Sequence, residues 1–131
     1  MSNLNKDCFF CSRAKKEIVY SSGLLFVLRD NKFPVTKHHT LIVPHRHISD
    51  FFDLNNNELN DLAEVLKKQR KLLVNFDKEI TGFNVGVNVG VDAGQSIMHC
   101  HIHLIPRRKG DMDNPRGGVR GVIPSKQKYI K

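Results

Sequence analysis

The chain has 131 residues, which fits a single domain with one hydrophobic core. Hydrophobic residues make up 40% of it, but none of their runs approaches the roughly 20 residues that cross a bilayer, so we predict no membrane contact. The first residues lack the apolar segment of a secretory signal, which predicts a cytoplasmic protein whose three cysteines are reduced or metal-bound.

The formal net charge of +8 lies mainly in the last part of the chain. From Ile105 onward, eight basic and two acidic residues give +6, whereas the preceding 104 residues are nearly neutral. A basic tail attracts polyanions, which include nucleic acids, acidic proteins and nucleoside polyphosphates. It is equally compatible with a solvated surface, so charge alone does not choose a partner.

The first half of the chain predicts three strands and one long helix. Residues 18–20 and 24–28 flank a Ser-Ser-Gly turn and indicate a hairpin, and residues 40–43 form a third strand that Pro44 ends. Asn55, with Glu58 three positions later, has the form of a helix capping box. The residues predicted to form the buried stripe of the helix recur at steps of three and four, with Val65 and Leu72 widening the stripe: Leu59, Leu62, Leu66, Gln69, Leu73 and Phe76.

The second half predicts two paired strands joined by a glycine-rich loop. In residues 83–89, apolar side chains alternate with Asn84, Gly86 and Asn88. The loop of residues 90–96 would supply backbone N–H groups to an anion. Pairing with a strand at 98–105 would complete an α+β fold with a sheet of five strands. The core would span about 8–106, followed by an irregular basic tail over about 107–131.

Three histidines at alternate positions are the most informative feature of the chain. In an extended strand, His99, His101 and His103 would share one face, while Cys100 and Ile102 would point into the core. Imidazole is unprotonated near pH 7, so it can attack a phosphorus atom. We therefore interpret the chain as an enzyme that acts on a phosphate.

The alternating histidines follow Gly94-Gln95-Ser96 and precede two apolar residues. Together with the segments at residues 30–36, 39–44 and 47–49, this pattern resembles the histidine triad (HIT) family of nucleotide hydrolases and transferases, and within it the diadenosine polyphosphate hydrolases. The resemblance covers about three quarters of the chain. It implies a HIT-like fold, with an antiparallel sheet of about five strands and one long helix, and it favours a homodimer.

The resemblance also implies a role for each matching residue. His101 would attack the α-phosphorus and form a covalent nucleotidyl-histidine, which water then hydrolyses. His103 would donate a hydrogen bond to a phosphoryl or bridging oxygen. The further residues implied to contact the nucleotide or its phosphates are Asp30, Asn31, His39, Asn88, Gly94, Gln95 and Ser96. Two of these have simpler interpretations, since Asp30 suits a turn and Asn88 could be an ordinary strand residue.

Cys8 and Cys11 form a Cys-x-x-Cys pair, which could be a zinc half-site, a redox pair or a chance spacing. A redox pair would need a thioredoxin-like context, which the sequence does not offer. A structural zinc needs four ligands, and His47 and His99 are the best further candidates. Some HIT proteins and the related galactose-1-phosphate uridylyltransferases bind zinc through matching positions. The resemblance therefore implies a structural Zn²⁺ held by Cys8, Cys11, His47 and His99.

The leading hypothesis is a nucleotide hydrolase or nucleotidyl transferase that cleaves a dinucleoside polyphosphate such as diadenosine tetraphosphate. An adenosine phosphoramidase or a dinucleoside polyphosphate phosphorylase would use the same residues. A hypothesis from another class is a zinc-stabilised module that binds nucleic acid or protein. It leaves His101 and His103 unexplained, and Tyr129 is the one aromatic residue of the tail available for base stacking, so a nucleic-acid partner is disfavoured.

Overall fold

The computed structural model describes residues 7–13, 17–30 and 32–129. Its main elements are β1 (Ile18–Ser21), β2 (Leu25–Arg29), β3 (Thr40–Pro44), α1 (Asn56–Phe76), β4 (Ile80–Val87) and β5 (Ile102–Arg108). The strands form one antiparallel sheet in the order β1-β2-β3-β5-β4. This confirms the predicted α+β fold. Among the described residues, no helix has the length and apolarity needed to span a membrane.

The helix α1 begins where the sequence predicts but buries a rotated stripe. Its capping box is formed, with the Asn55 side chain accepting from the Glu58 N–H and the Glu58 carboxylate accepting from the Asn55 N–H. The buried residues are Glu58, Leu62, Val65, Gln69 and Leu73. Leu59 and Phe76, which were predicted to lie on the stripe, are 38% and 69% exposed. The rotation brings a charged residue, Glu58, to the buried face in place of an apolar one.

The central strands are buried on both faces of the sheet. Val27 and Ile42 pack with residues of α1 in one cluster. Phe26 and Val43, which point the opposite way, pack with Phe10 from the N-terminal turn in a second cluster. One face of the sheet is therefore covered by the helix, while the N-terminal turn packs on the other.

The last strand begins later than predicted. β5 starts at Ile102 rather than near residue 98, so His99 and His101 lie ahead of the strand. Before Ile102 the chain leaves the sheet, and the Cys100 N–H donates to the carbonyl of Ile48 in a loop at 2.6 Å. The expected pairing of β5 with β4 is nevertheless present, and His103 lies opposite Gly86 in it.

The basic tail is less irregular than predicted. It contains two short 3₁₀ helices, Gly118–Val122 and Pro124–Lys126, and folds back on β4. Gly117 has a φ of +84° and lies so close to the Gln127 carbonyl that a Cβ there would come within 2.1 Å of its oxygen. Glycine at position 117 therefore allows the two ends of this segment to meet.

Glu58 connects the start of α1 to the chain that leaves β3. Its side chain is almost completely buried and accepts two hydrogen bonds from the Arg46 guanidinium, at 2.8 and 3.0 Å. Arg46 also donates to the Asp53 carbonyl. The pair therefore fixes the loop that carries the next residue, His47.

We predict that Glu58→Ala lowers the free energy of unfolding by about 2–3 kcal/mol, because it removes three hydrogen bonds and leaves Arg46 without its carboxylate. Urea denaturation followed by circular dichroism measures the change. The control is Glu64→Ala, on the exposed face of the same helix and 3.9 Å from Lys67, which should change stability by no more than about 0.5 kcal/mol. Equal effects of the two variants would contradict the assigned role of Glu58.

Candidate active site and metal site

His101 is held in one tautomer by its own backbone. Its ring Nδ1 lies 2.8 Å from the carbonyl oxygen of His99. A carbonyl can only accept, so Nδ1 carries the proton and Nε2 keeps its lone pair. The ring is 9% exposed and packs against Phe10 with a centroid distance of 5.0 Å. Burial lowers the pKa of His101, which favours the neutral ring that a nucleophile requires.

A second hydrogen-bond chain fixes His39 and His103. The backbone N–H of Val35 donates to Nδ1 of His39 at 3.0 Å, which leaves the proton of His39 on Nε2. That Nε2 lies 2.9 Å from Nδ1 of His103 and donates to it. The proton of neutral His103 is therefore on its own Nε2. This arrangement gives the site a lone pair on His101 and an N–H donor on His103, whose ring centroids are 5.3 Å apart.

A cleft of about 420 Å³, here called the first cleft, is lined by both His101 and His103. Its apolar lining residues are Phe9, Phe10, Leu28, Phe33, Leu41 and Ile97. Asp30 lies at the same cleft, where its Oδ1 accepts the backbone N–H groups of Lys32 and Phe33 and its Oδ2 lies 4.0 Å from His39. Asp30 is thus both a turn residue and part of the cleft lining. The mixture of an apolar wall and a carboxylate suits a small ligand with a flat ring and hydroxyl groups.

The loop before the histidines is organised by Gln95. Its buried amide accepts the Gly90 N–H and donates to the carbonyls of Ser49 and Ile97. Both amide protons donate to backbone carbonyls, so the Gln95 side chain fixes the shape of the loop, and its predicted contact with a phosphate stays a prediction. Ser96 is exposed and lines the first cleft. Gly94 has a φ of +95° and approaches the Asn88 side chain, which faces the neighbouring cleft.

The four predicted metal ligands come together in the structure. The potential donor atoms of Cys8, Cys11, His47 and His99 all lie within 4.8 Å of one another. Cys11 and His99 are buried, whereas Cys8 and His47 are half-buried. The N-terminal turn, the segment after β3 and the segment before β5 each contribute to this group, so a bound ion would join three separate parts of the chain.

The distances within this group suit a tetrahedral ion. Nδ1 of His47 lies 3.2 Å from Nδ1 of His99, and three contacts between a cysteine Sγ and a histidine Nδ1 measure 3.2 to 3.5 Å. Tetrahedral zinc with ordinary bond lengths separates such ligand atoms by about 3.3–3.6 Å. Nε2 of His99 donates to the Pro44 carbonyl at 2.8 Å, which leaves Nδ1 unprotonated and available to a metal.

Sequence reasoning did not identify Phe9 and Phe10 as residues of the site. They occupy the two positions between the cysteines, and both line the first cleft. The signal was available, because a Cys pair that meets His99 must bring the intervening residues next to the histidine row. Asn31, predicted to contact a nucleotide, lies outside the described residues.

Comparisons with known proteins agree with this geometry. The sequence profile of the HIT domain matches residues 12–110. The chain is 36% identical over 81 residues to an asymmetrical bis(5′-nucleosyl)-tetraphosphatase of Schizosaccharomyces pombe, covering 62% of this chain and 44% of that protein. It is 35% identical over 95 residues to an AP-4-A phosphorylase of Mycobacterium tuberculosis, covering 72% of this chain and 48% of the other. The chain thus spans about half the length of these two relatives.

Among solved structures, a zinc-bound histidine triad family protein from Mycobacterium smegmatis is similar in fold. The TM-score is 0.72 and the sequence identity 28%, and the match covers 80% of this chain and 78% of that one. The similarity confirms the arrangement of five strands and one main helix.

We predict that His103 makes stability depend on pH. Burial and the neighbouring His101 and His39 lower its pKa from 6.5 to about 4. As the pH falls from 6.5 towards 4, the unfolded chain therefore binds a proton that the folded chain does not, and stability decreases. Between pH 7 and 5 this contributes a loss of about 2 kcal/mol. Urea unfolding at pH 7 and at pH 5 measures the free energy of unfolding. The loss of this free energy between the two pH values should be smaller by that amount in His103→Gln than in the wild type.

The matched control for this experiment is His45→Gln, because His45 is exposed and outside the histidine row. The loss of stability in this variant between the two pH values is the reference for the smaller loss expected in His103→Gln. If His103→Gln behaved like the wild type, the assignment of a buried, neutral His103 would be wrong.

Proposed function

This chain belongs to the HIT domain family of nucleotide-processing proteins, and on that premise we propose that it hydrolyses dinucleoside polyphosphates through a covalent intermediate on His101. The observation that carries the proposal is the pair of fixed tautomers. His101 keeps an unprotonated Nε2, and His103 keeps an Nε2–H, at the same cleft. One group can attack a phosphorus atom while the other donates to its oxygens.

In the first step, the lone pair of His101 Nε2 forms a bond to the α-phosphorus. The bond from phosphorus to the bridging oxygen breaks, and its electron pair leaves with the polyphosphate. The product is a nucleotidyl-imidazolium, whose Nδ1–H donates to the His99 carbonyl and so spreads the new positive charge. A polyphosphate is a stable anion, so its departure depends on positioning and charge stabilisation more than on acid catalysis.

In the second step, a water oxygen attacks the same phosphorus. The N–P bond breaks, its electron pair returns to His101 Nε2, and a proton from the water is released to the solvent. His103 Nε2–H donates to a phosphoryl or bridging oxygen throughout, oriented by the His39 donor behind it. His39 is thus a positioning residue in this mechanism.

The nucleoside of the transferred nucleotide would lie in the first cleft. Phe10, Leu28 and Ile97 offer the base an apolar wall, and Asp30 can accept from the ribose hydroxyls with the carboxylate capacity that its turn leaves over. Ser96, Asn88 and the backbone around Gly94 are proposed to contact the phosphates.

Zn²⁺ is the ion that best suits the group of Cys8, Cys11, His47 and His99, because two thiolates and two imidazoles at tetrahedral spacing are typical of structural zinc. Bound there, the metal would supply no open coordination position and would act only by fixing the chain. Its bonds to the four residues would fix the position of His99. They would therefore also fix the His99 carbonyl, which orients His101.

A homodimer and a cytoplasmic location complete the proposal. β4 lies at one edge of the sheet and offers eight residues for pairing with a second copy. Light scattering coupled to gel filtration should give about twice the mass of the 15.0 kDa chain.

A phosphorylase is the second candidate, because one similar protein carries that activity in its name. The two activities differ in whether water or inorganic phosphate attacks the nucleotidyl-histidine. With diadenosine tetraphosphate, water releases AMP and ATP, whereas phosphate releases ADP and ATP. Analysis of the products formed with and without added inorganic phosphate therefore separates the two activities.

We predict that His101→Asn lowers turnover of diadenosine tetraphosphate by roughly 10³-fold or more, because the attacking lone pair is lost. Mass spectrometry of the wild type mixed with substrate should show a transient adduct of one nucleotidyl group, which the variant does not form. His45→Asn is the control and should keep turnover and adduct. Turnover that survives His101→Asn would exclude His101 as the nucleophile.

We predict that chelation of the metal lowers the melting temperature by about 10 °C or more, because the ligand group joins three separate segments. Elemental analysis should give one zinc per chain in the wild type and none in Cys11→Ser. Cys100→Ala is the matched control, since Cys100 is buried in the main core and not among the four ligands. It should retain its zinc. A metal-free wild type with unchanged melting would refute the site.

A further inference from the structure

A second cleft, of about 510 Å³, opens on the other side of His103. His103 and His39 line it, but His101 does not. Its floor is the face of β4 and β5 that carries Asn84, Gly86 and Ile105, and its far wall is the 3₁₀ helix Gly118–Val122. We call it the leaving-group cleft. Its volume lies within the roughly 300–1,000 Å³ of small-molecule sites.

The direction of attack at phosphorus indicates which part of the substrate this cleft would hold. In displacement at phosphorus, the attacking atom and the leaving oxygen lie on opposite sides, approximately in line. With His101 as the nucleophile at the first cleft, the leaving group must extend away from His101. His103 lines both clefts and His101 only the first, so the leaving-group cleft adjoins the proposed reacting centre at His103.

The lining of the leaving-group cleft has the chemistry of a nucleoside site. Val119 and Val122 present apolar side chains from the tail to the cleft that Ile105 lines from the sheet. A planar base can be covered by such walls, because they offer area without competing hydrogen bonds. Val119 and Val122 are 65% and 80% exposed without a ligand, so contact with a base would remove apolar surface from water.

The amide of Asn84 supplies a directed donor in this cleft. The Arg107 guanidinium donates to its Oδ1 at 2.7 Å, and Asp111 holds Arg107 through two further hydrogen bonds. The Asn84 NH₂ group is thereby turned towards Gly118, where a Cβ would approach it to 3.2 Å. Glycine at position 118 keeps this amide accessible beside the tail.

The tail also has the charge that a polyphosphate requires. Residues 116–129 contain four basic and no acidic residues. Arg116 and Arg120 pack on the Tyr129 ring at 5.4 and 5.0 Å, which holds the two ends of this segment together. None of these four basic residues lines the cleft, but the segment that carries them forms one of its walls, so its positive charge attracts an anionic leaving group towards the cleft.

We propose that the leaving-group cleft binds the second nucleoside of a dinucleoside polyphosphate, so that the tail selects substrates with two nucleosides. The proposal rests on the proposed nucleotidyl transfer at His101 and assigns the other half of its substrate. The tail is thus a specificity element for the leaving group, separate from the residues that carry out the reaction.

The test compares diadenosine tetraphosphate with adenosine 5′-tetraphosphate, which has the same phosphate chain and one nucleoside. In the double variant Val119→Ser/Val122→Ser, the ratio of kcat/KM for the first substrate to that for the second should fall by about 10-fold, because two apolar contacts to the second base are lost. In a His101→Asn background, calorimetry should show a matching loss of affinity for diadenosine tetraphosphate alone.

The matched control is Ile123→Ser, the next residue along the tail, which is 59% exposed and does not line the cleft. Its substrate ratio should equal that of the wild type. An unchanged ratio in the double variant, with both substrates cleaved, would overturn the leaving-group site and leave the proposed function intact. No turnover of either substrate by the wild type would refute both. If the double variant changed the mass in solution without changing the ratio, the cleft would belong to an interface between copies of the chain.

Discussion

The geometry of the site depends on the position of His99. Its Nε2–H is bound to the Pro44 carbonyl at the end of β3, and its Nδ1 lies among Cys8, Cys11 and His47. Its own carbonyl accepts the Nδ1–H of His101. One residue therefore connects the sheet, the metal group and the proposed nucleophile, His101. A rotation of the His99 peptide would release the tautomer of His101 as well as its orientation, because the same hydrogen bond sets both.

The two faces of the sheet have different roles, since one packs against the helix and the other carries the clefts. α1 packs against one face, where Val27, Ile42 and Leu62 belong to the main core. The opposite face carries the N-terminal turn and both clefts. Since β3 is buried throughout, the histidine that immediately precedes it, His39, rests on a rigid support. A hydrogen-bonded pair such as His39 and His103 needs that support, because a displacement of a few tenths of an ångström weakens a 2.9 Å contact.

Local patterns in the sequence were sufficient to predict the elements and the members of the metal group. The capping box at Asn55 and Glu58 depends on neighbouring residues alone, and the four metal ligands follow from residue type and a resemblance. The start of β5 was predicted too early. It depends on where the pairing of β5 with β3 ends and on the hydrogen bond that the Cys100 N–H donates to the Ile48 carbonyl. The hydrogen bonds of the Gln95 amide within the loop were not predicted, because one of them is to Ser49, which is distant in sequence. The tail was predicted to be irregular because its short helices form against β4 and lack a periodic pattern of their own.

The turn Phe9–Arg13 belongs to two structures at once. Cys11 lies in the metal group and Cys8 precedes the turn, while Phe9 and Phe10 form part of the first cleft. Ion and nucleoside would therefore order the same few residues. Thermodynamic reciprocity then requires that each ligand change the affinity for the other by an identical factor. If both ligands bind as proposed and each orders this turn for the other, the nucleotide-bound protein would release its metal to a chelator more slowly than the free protein would.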